Sequence, residues 1–322
     1  MEKTKLPIIL GAMTIGKAGK FSTDVAAFLN VFQNHGHNQI DTARYYGNGS
    51  SEEYLGGTNW QGRKLVMATK AYPFGTPGLT YQPDDLRANL LKSLKALKTN
   101  KVHLYYLHGP DRNTPFEVTL RALNELHHEG YFNHLGISNF MAWEVAMIQE
   151  ICIRNNWIRP MVYQGLYNAI HRGVEPELFP CLRHYEMSFH AFNPLAGGYL
   201  TSRYRVGLSD VEQGSRFDPN TSQGQIYRSR YWNEAMFSAL DEIRHAVGQH
   251  SITEAECALR WMMHHSKLSK DHGDAIIIGA SSIKQLEENL RYLELGPLPD
   301  DVVAVLDSAW TKAKKTAGNY FH

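Results

Sequence analysis

Eight short apolar runs punctuate the chain, at residues 8–10, 39–41, 65–70, 102–108, 134–138, 161–164, 188–193 and 275–279. Each has strand length, and longer stretches with helical spacing separate them. Pro83 opens one such stretch, where a missing N–H costs nothing, and Leu86, Leu90, Leu94 and Leu97 mark its inward face. Thr114 and Pro115 precede another, with Val118, Ala122, Leu123 and Leu126 inward. Residues 143–153 and 233–247 follow the same spacing. Ser251 is placed to cap a helix over 253–264, with Glu254 completing a capping box. Two further helical stretches, 283–293 and 300–314, follow the last apolar run.

This alternation predicts a mainly parallel sheet, because parallel neighbours need crossovers of about a dozen residues or more. An open doubly wound sheet and a closed barrel both satisfy it. Eight units in 322 residues favour a (β/α)8 TIM barrel with extra C-terminal helices, forming one domain over 1–322. In such a barrel the chemistry sits at the C-terminal ends of the strands. Asp41, Lys70, His108, Ser138, Gln164, Asn193 and Ser281 each stand at or just past the end of a different run, so a barrel would gather them at one mouth. The longest region without a clear element, 195–232, is rich in Gly, Ser, Arg and Tyr and is expected to be a lid loop over a ligand.

A formal net charge of +1 gives no field for nucleic acid or an acidic membrane surface. The apolar runs fall short of the roughly 18 residues of a membrane span, and the first eleven residues lack a secretory pattern. Three scattered cysteines, Cys152, Cys181 and Cys257, give no disulfide framework or zinc spacing, so the expected setting is the cytoplasm. The pairs His127-His128, His264-His265 and His35/His37 lack matching ligands at zinc spacing, and no metal is expected. No GxGxxG follows a strand, and GxSxG and HExxH are absent.

The chemistry-bearing residues form a proton-relay set. Asp41 is followed by Tyr45 and Tyr46, Lys70 ends the next run, and His108 ends the fourth. A phenol titrates near 10 and is a poor acid at neutrality. A neighbouring ammonium favours the phenolate, a carboxylate holds the ammonium, and an imidazole beside the phenol can bond a substrate oxygen. Such a set suits protonation of the oxyanion formed when a carbonyl accepts hydride.

The motifs Asp41-Thr42-Ala43 with Tyr46, Ala68-Thr69-Lys70, Leu107-His108, Gly136-Ile137-Ser138-Asn139 and Tyr163-Gln164-Gly165-Leu166-Tyr167-Asn168 recur together in a known family. So do Asn193-Pro194-Leu195-Ala196-Gly197-Gly198, Gly279-Ala280-Ser281-Ser282 with Gln285, Glu288 and Asn289, and the ending Gly318-Asn319-Tyr320-Phe321. Over almost its whole length the chain resembles the aldo-keto reductases, specifically the aflatoxin aldehyde reductase branch, family 7. The resemblance implies NADPH-dependent reduction of small-molecule carbonyl substrates, with Tyr46 as proton donor, Lys70 tuning it, Asp41 pairing with Lys70 and touching cofactor, and His108 orienting the carbonyl. It assigns Ser138, Asn139 and Gln164 to the nicotinamide amide. It gives the pyrophosphate to Asn193, Pro194, Leu195, Gly197, Gly198, Leu200 and Arg203, the last standing where relatives carry lysine. Gly279, Ser281, Gln285, Glu288 and Asn289 are expected at the adenosine, where Gln285, Glu288 and Asn289 share one helix face. Of the lid cations Arg216, Arg228 and Arg230, it gives Arg216 to the cofactor and Arg230 to a substrate carboxylate. The residue stacking on the nicotinamide is left open. The branch suggests a homodimer. Potassium-channel β-subunits share the barrel and nucleotide site, so a regulatory, weakly catalytic NADPH-binding subunit is the alternative.

Overall fold

A computed structural model describes residues 5–17, 24–73, 80–205, 207 and 211–322. Residues 1–4 of the N-terminal expectation, and 206 and 208–210 of the expected lid, lie outside the described residues. Eight strands, β1 (Ile8–Gly11), β2 (Gln39–Asp41), β3 (Val66–Ala71), β4 (Val102–Leu107), β5 (Phe132–Ser138), β6 (Pro160–Leu166), β7 (Ser188–Phe192) and β8 (Ala275–Ile278), pair in chain order. Every pair is parallel, and β8 closes on β1 through Ile8↔Ile276 and Leu10↔Ile278. The closed barrel expected from the alternation is the fold, and all eight apolar runs are its strands.

Helices α1 (Val25–Asn34), α2 (Ser50–Gly56), α3 (Pro83–Ala96), α4 (Phe116–His128), α5 (Ala142–Asn155) and α6 (Leu178–His184) cross over between successive strands up to β7. Leu86, Leu90, Leu94 and Leu97 are buried as the spacing predicted, and so are Ala122, Leu123 and Leu126 of α4. Val118 is only half-buried, and Leu120 takes the deeper position. Most of the core lies between the strand ring and the helices. Two small clusters fill the barrel itself: Ile9, Ala275 and Ile277 with Phe192, and Leu104, Tyr106 and Val162 with Ala68. Adjacent tyrosines show the alternation of a strand. Tyr105 packs in the outer core while Tyr106 points inward. A Cβ at Gly136, on the neighbouring strand, would lie 2.4 Å from the Tyr106 ring, so glycine makes room for it.

Between β7 and β8 stand α7 (Ser222–Tyr231), α8 (Glu234–Gln249) and α9 (Glu254–His264); α10 (Ile283–Glu294) and α11 (Asp300–Ala313) follow β8. Two expectations need correction. The region 195–232 is not loop throughout, because α7 occupies its second half. Thr221 caps α7 by accepting from Gly224 N at 2.9 Å, and Tyr227 and Tyr231 supply its buried side. Ser251 does not cap α9. Its backbone is left-handed, with φ 54°, and Thr253, extended at φ −83° and ψ 157°, accepts from Glu256 N at 3.1 Å. After α11, which packs on α8, the tail returns to the barrel mouth. There Gly318 O meets His171 Nε2 at 2.9 Å, Ala142 N donates to the Tyr320 hydroxyl at 3.1 Å, and His322 N donates to Asn139 O at 3.2 Å. No helix of the described residues is long and apolar enough to cross a membrane.

Candidate active site

The strand ends gather the predicted polar residues at one mouth. Asp41 and Ser138 are the last residues of β2 and β5, Lys70 is next to last in β3, and Gln164 lies two residues before the end of β6. His108 and Asn193 directly follow β4 and β7. Lys70, in register with Tyr106, points into the barrel and is fully buried. An uncompensated ammonium there would be prohibitively unfavourable. Its Nζ donates to Asp41 Oδ1 at 2.5 Å and Thr42 O at 2.8 Å, and lies 3.4 Å from the Tyr46 hydroxyl. Gln164 Nε2, from across the barrel, donates to Asp41 Oδ2 at 2.8 Å. Both carboxylate oxygens are therefore engaged.

Tyr46 follows β2 in a loop that turns through left-handed conformations at Gly47, Asn48 and Gly49, with φ of 55°, 53° and 92°. Its half-buried ring borders a cleft of about 760 Å³. Burial raises its phenol above the usual 10, while the nearby Lys70 ammonium pulls it back down without cancelling the effect. The net direction corrects the simple expectation of a lowered value, which counted the ammonium and not the depth. Burial is the largest single influence on the Lys70 ammonium and acts to lower it, but the charges of Asp41 and Tyr46 and the hydrogen bonds to both together outweigh it, and the net shift is upward. Burial, then the charges of Lys70 and His322, hold His108 well below 6.5, so its imidazole is neutral. The rings of Tyr46 and His108 meet edge-on at 5.8 Å.

From this end the cleft runs past Asn193 and the glycines at 197 and 198 to Gly279, Ser281, Gln285, Glu288 and Asn289. Gly197 and Gly198 are left-handed, with φ of 72° and 95°, and nothing lies within 4 Å of where a Cβ on Gly198 would stand. The Ser281 N–H and hydroxyl donate to Gln285 Oε1 at 2.9 and 2.6 Å, and Asn289 Nδ2 donates to Gly279 O at 3.3 Å. Three polar atoms of cleft-lining residues, Thr14 Oγ1, His108 Nδ1 and Asn193 Nδ2, are buried and find no hydrogen-bond partner. Buried polar atoms are nearly always satisfied, so these three leave hydrogen-bonding capacity unused beneath the cleft's lining. Among the described residues no cluster of three or more His, Cys, Asp or Glu side chains is placed to hold a metal ion.

The model of the "Aldo/keto reductase family" matches residues 7–311. The chain belongs to that family. It is 49% identical to "Aldo-keto reductase pigE" of Monascus ruber over 99% of this chain and 98% of that one. It is 44% identical to human "Aldo-keto reductase family 7 member A3" over 100% and 98%. With mouse "Aflatoxin B1 aldehyde reductase member 2" the identity is 45% over 97% and 87%. This aldo/keto reductase therefore falls in the aflatoxin aldehyde reductase branch, as its motifs implied, and is an oxidoreductase.

The cleft of this aldo/keto reductase collects nearly all the sequence-predicted site residues: Asp41, Tyr46, His108, Asn139, Gln164, Asn193, Pro194, Leu195, Arg203, Arg216 and Arg230 line it together with the glycines and the residues of α10. Three do not reach its surface. Lys70 lies beneath Tyr46, and Ser138 and Leu200 are buried behind Asn139 and the glycine turn. Ser138 Oγ instead accepts from Asn139 Nδ2 at 3.1 Å, while the same nitrogen donates to His108 O at 2.8 Å. Of the lid cations, Arg216 donates to the Tyr227 hydroxyl at 3.1 Å. Arg228 lies over the Trp232 ring at 4.1 Å and donates to Phe217 O, and it is not among the residues that line the cleft. The histidine pairs serve the scaffold: His264 meets Leu295 O at 2.7 Å, and His265 accepts from Leu298 N at 2.9 Å.

Sequence reasoning missed several residues. Phe192 borders the cleft at the end of β7, one position before Asn193, and its place at the strand end could have flagged it. Tyr72, two residues past Lys70, could have been found the same way. Glu52 is fully buried beneath the site, accepting from Thr69 Oγ1 at 2.6 Å and Arg44 Nη1 at 2.9 Å, and so fixes the strand beside Lys70. His322 reaches the cleft only by the return of the tail, for which no local signal exists.

Proposed function

We propose that this protein reduces aldehydes and ketones to alcohols with NADPH, Tyr46 giving the proton. The observation carrying this reading is the buried chain from Asp41 through Lys70 to Tyr46, which meets the cleft at the phenol beside a neutral imidazole. NADPH, when bound, supplies hydride to the carbonyl carbon. Tyr46 passes its phenolic proton to the carbonyl oxygen as negative charge builds there. The raised phenol keeps that proton in place at neutral pH, and Lys70 stabilises the phenolate left behind. Asp41 holds Lys70 charged, and Gln164 holds Asp41. His108 orients the carbonyl oxygen by hydrogen bonding, without carrying charge itself. Asn139 and Gln164 serve the nicotinamide end, with Ser138 fixing Asn139, and Asn193 opens the segment that serves the phosphates. The turn with Pro194, Leu195, Gly197, Gly198, Leu200 and Arg203 serves the phosphates, and Arg216 with Gly279, Ser281, Gln285, Glu288 and Asn289 serves the adenosine. Phe192 offers a ring for the nicotinamide face. Arg230 takes an anionic group of the substrate. NADPH is preferred to NADH because the cations Arg203 and Arg216 border the same cleft. The whole chain, 1–322, acts as one domain, and we place it in the cytoplasm as a homodimer.

Replacing Tyr46 with Phe tests the assignment. NADPH oxidation with succinic semialdehyde and with nitrobenzaldehyde should fall by about a hundredfold to ten-thousandfold, while NADPH binding, read by fluorescence quenching, persists. Undiminished turnover would reject Tyr46 as the acid. A regulatory subunit resembling the potassium-channel partners would instead show negligible turnover in the unaltered protein.

A further inference from the structure

We propose that Tyr72, extended by Tyr45, is a specificity-determining residue that selects planar aromatic or conjugated carbonyl compounds over aliphatic ones; this rests on the reduction proposed above. Four rings follow one another from the proton donor to the mouth of the cleft. Tyr46 meets His108 at 5.8 Å, His108 meets Tyr72 at 5.0 Å, and Tyr72 meets Tyr45 edge-on at 5.2 Å. All four line the cleft. A carbonyl oxygen held between Tyr46 and His108 therefore directs the body of its molecule along the Tyr72 ring.

Neither outer ring serves the core. Tyr45 is 43% exposed and Tyr72 is half-buried. Tyr72 is seated by a second residue. A Cβ at Gly109 would stand 3.1 Å from Tyr72 Cε2, tighter than ordinary contact, and Gly109 has no left-handed φ that would call for glycine on backbone grounds. What the position uses is the missing side chain, which lets the Tyr72 ring lie against the turn after β4. Arg230 bounds the same end of the cleft, and its charge is felt at the Tyr72 phenol. A ring laid beside Tyr72 gains an edge or offset-stacked contact beyond the area it buries, whereas an aliphatic chain of similar size gains the area alone.

The test compares kcat/KM for benzaldehyde and hexanal in the unaltered protein, Tyr72→Leu, Tyr72→Phe and Gly109→Ala. The aromatic-to-aliphatic ratio should fall roughly three- to tenfold in Tyr72→Leu, stay in place in Tyr72→Phe, and fall in Gly109→Ala, where the displaced ring is chemically unchanged. A ratio that survives Tyr72→Leu, or that Tyr72→Phe loses equally, overturns the proposal. Calorimetric titration with benzoate and hexanoate in the presence of NADP+ gives a readout that needs no turnover. A preference for benzoate that Tyr72→Leu removes supports the aromatic wall even if neither aldehyde is reduced, an outcome that would sink the reductase reading alone. Equal binding of the two acids by the unaltered protein overturns the wall.

Discussion

Replacing Lys70 with methionine separates what the ammonium does for stability from what it does for chemistry. Lys70 is fully buried and is bonded to Asp41 Oδ1 at 2.5 Å and Thr42 O at 2.8 Å. Methionine fills much of the stem's volume but leaves the Asp41 carboxylate buried, with Gln164 Nε2 as its remaining hydrogen-bond partner among the described residues. Removing one member of a buried ion pair costs about 3–5 kcal/mol, and Asp41, 3% exposed, has little solvent to soften that loss. The unfolding free energy from urea titration should fall by about that amount. Adding Asp41→Asn removes the stranded charge and should recover most of the stability, because exchanging both members of such a pair for neutral groups is close to neutral. Turnover should not recover. The single variant should lose about a hundredfold or more in kcat/KM for carbonyl reduction, and the double variant should do no better. The pH profile supplies a third reading. Reduction needs the phenol protonated, so kcat/KM falls as pH rises through the Tyr46 pKa. Lys70 acts to lower that pKa, so its removal should move the alkaline limb to higher pH. An unchanged unfolding free energy in the single variant, restored turnover in the double, or a limb moving to lower pH would each refute the buried-pair argument.

Gly136→Ala would place a Cβ 2.4 Å from the Tyr106 ring, which is fully buried inside the barrel and bonded to His190 Nδ1 at 3.1 Å. Overpacking there should destabilise by about 1–3 kcal/mol in urea unfolding, and an unaltered midpoint would contradict it. His35, at the end of α1, reaches Glu294 at 2.7 Å and Glu287 at 3.2 Å on α10. Burial acts to lower its pKa, but the two glutamates outweigh this and hold it above 6.5. Its contribution is therefore fully present below the unfolded value and lost as pH rises through the higher folded one. The Tm difference between the unaltered protein and His35→Ala should be larger at about pH 5.5 than at about pH 9, and the reverse order would overturn the sign. NADPH should bind more tightly than NADH in fluorescence titrations, with Arg216→Leu narrowing the gap; equal affinities in the unaltered protein would remove the lid cations from cofactor choice.

The barrel was legible because its information is local. Apolar runs of strand length and polar residues at their ends can be read without knowing what faces what. The lid helix α7 was not, because Gly, Ser and Arg give it no apolar stripe. Its inward residues, Tyr227 and Tyr231, pack on the lid's own aromatics, with Phe217 5.7 Å from the Tyr227 ring and Tyr199 5.8 Å from the Tyr231 ring. The helix thus exists by tertiary contact rather than by pattern. The Tyr46 phenol shows the same limit in electrostatics. Its neighbours could be named from spacing, but the effect that wins is desolvation, and depth is a property of the closed fold.

The bond from Gln164 to Asp41 carries the most weight between fold and site. The two residues are 123 positions apart, one on β6 and the other on β2, yet their side chains meet at 2.8 Å. In an open sheet with the same strand order, four spacings of about 4.8 Å would separate those strands by roughly 19 Å. Curling the sheet on itself removes that distance and lets inward side chains from opposite strands converge on one axis. The carboxylate that fixes Lys70 is thereby held from both sides of the ring, and the proton donor rests on a pair that the closed topology assembles.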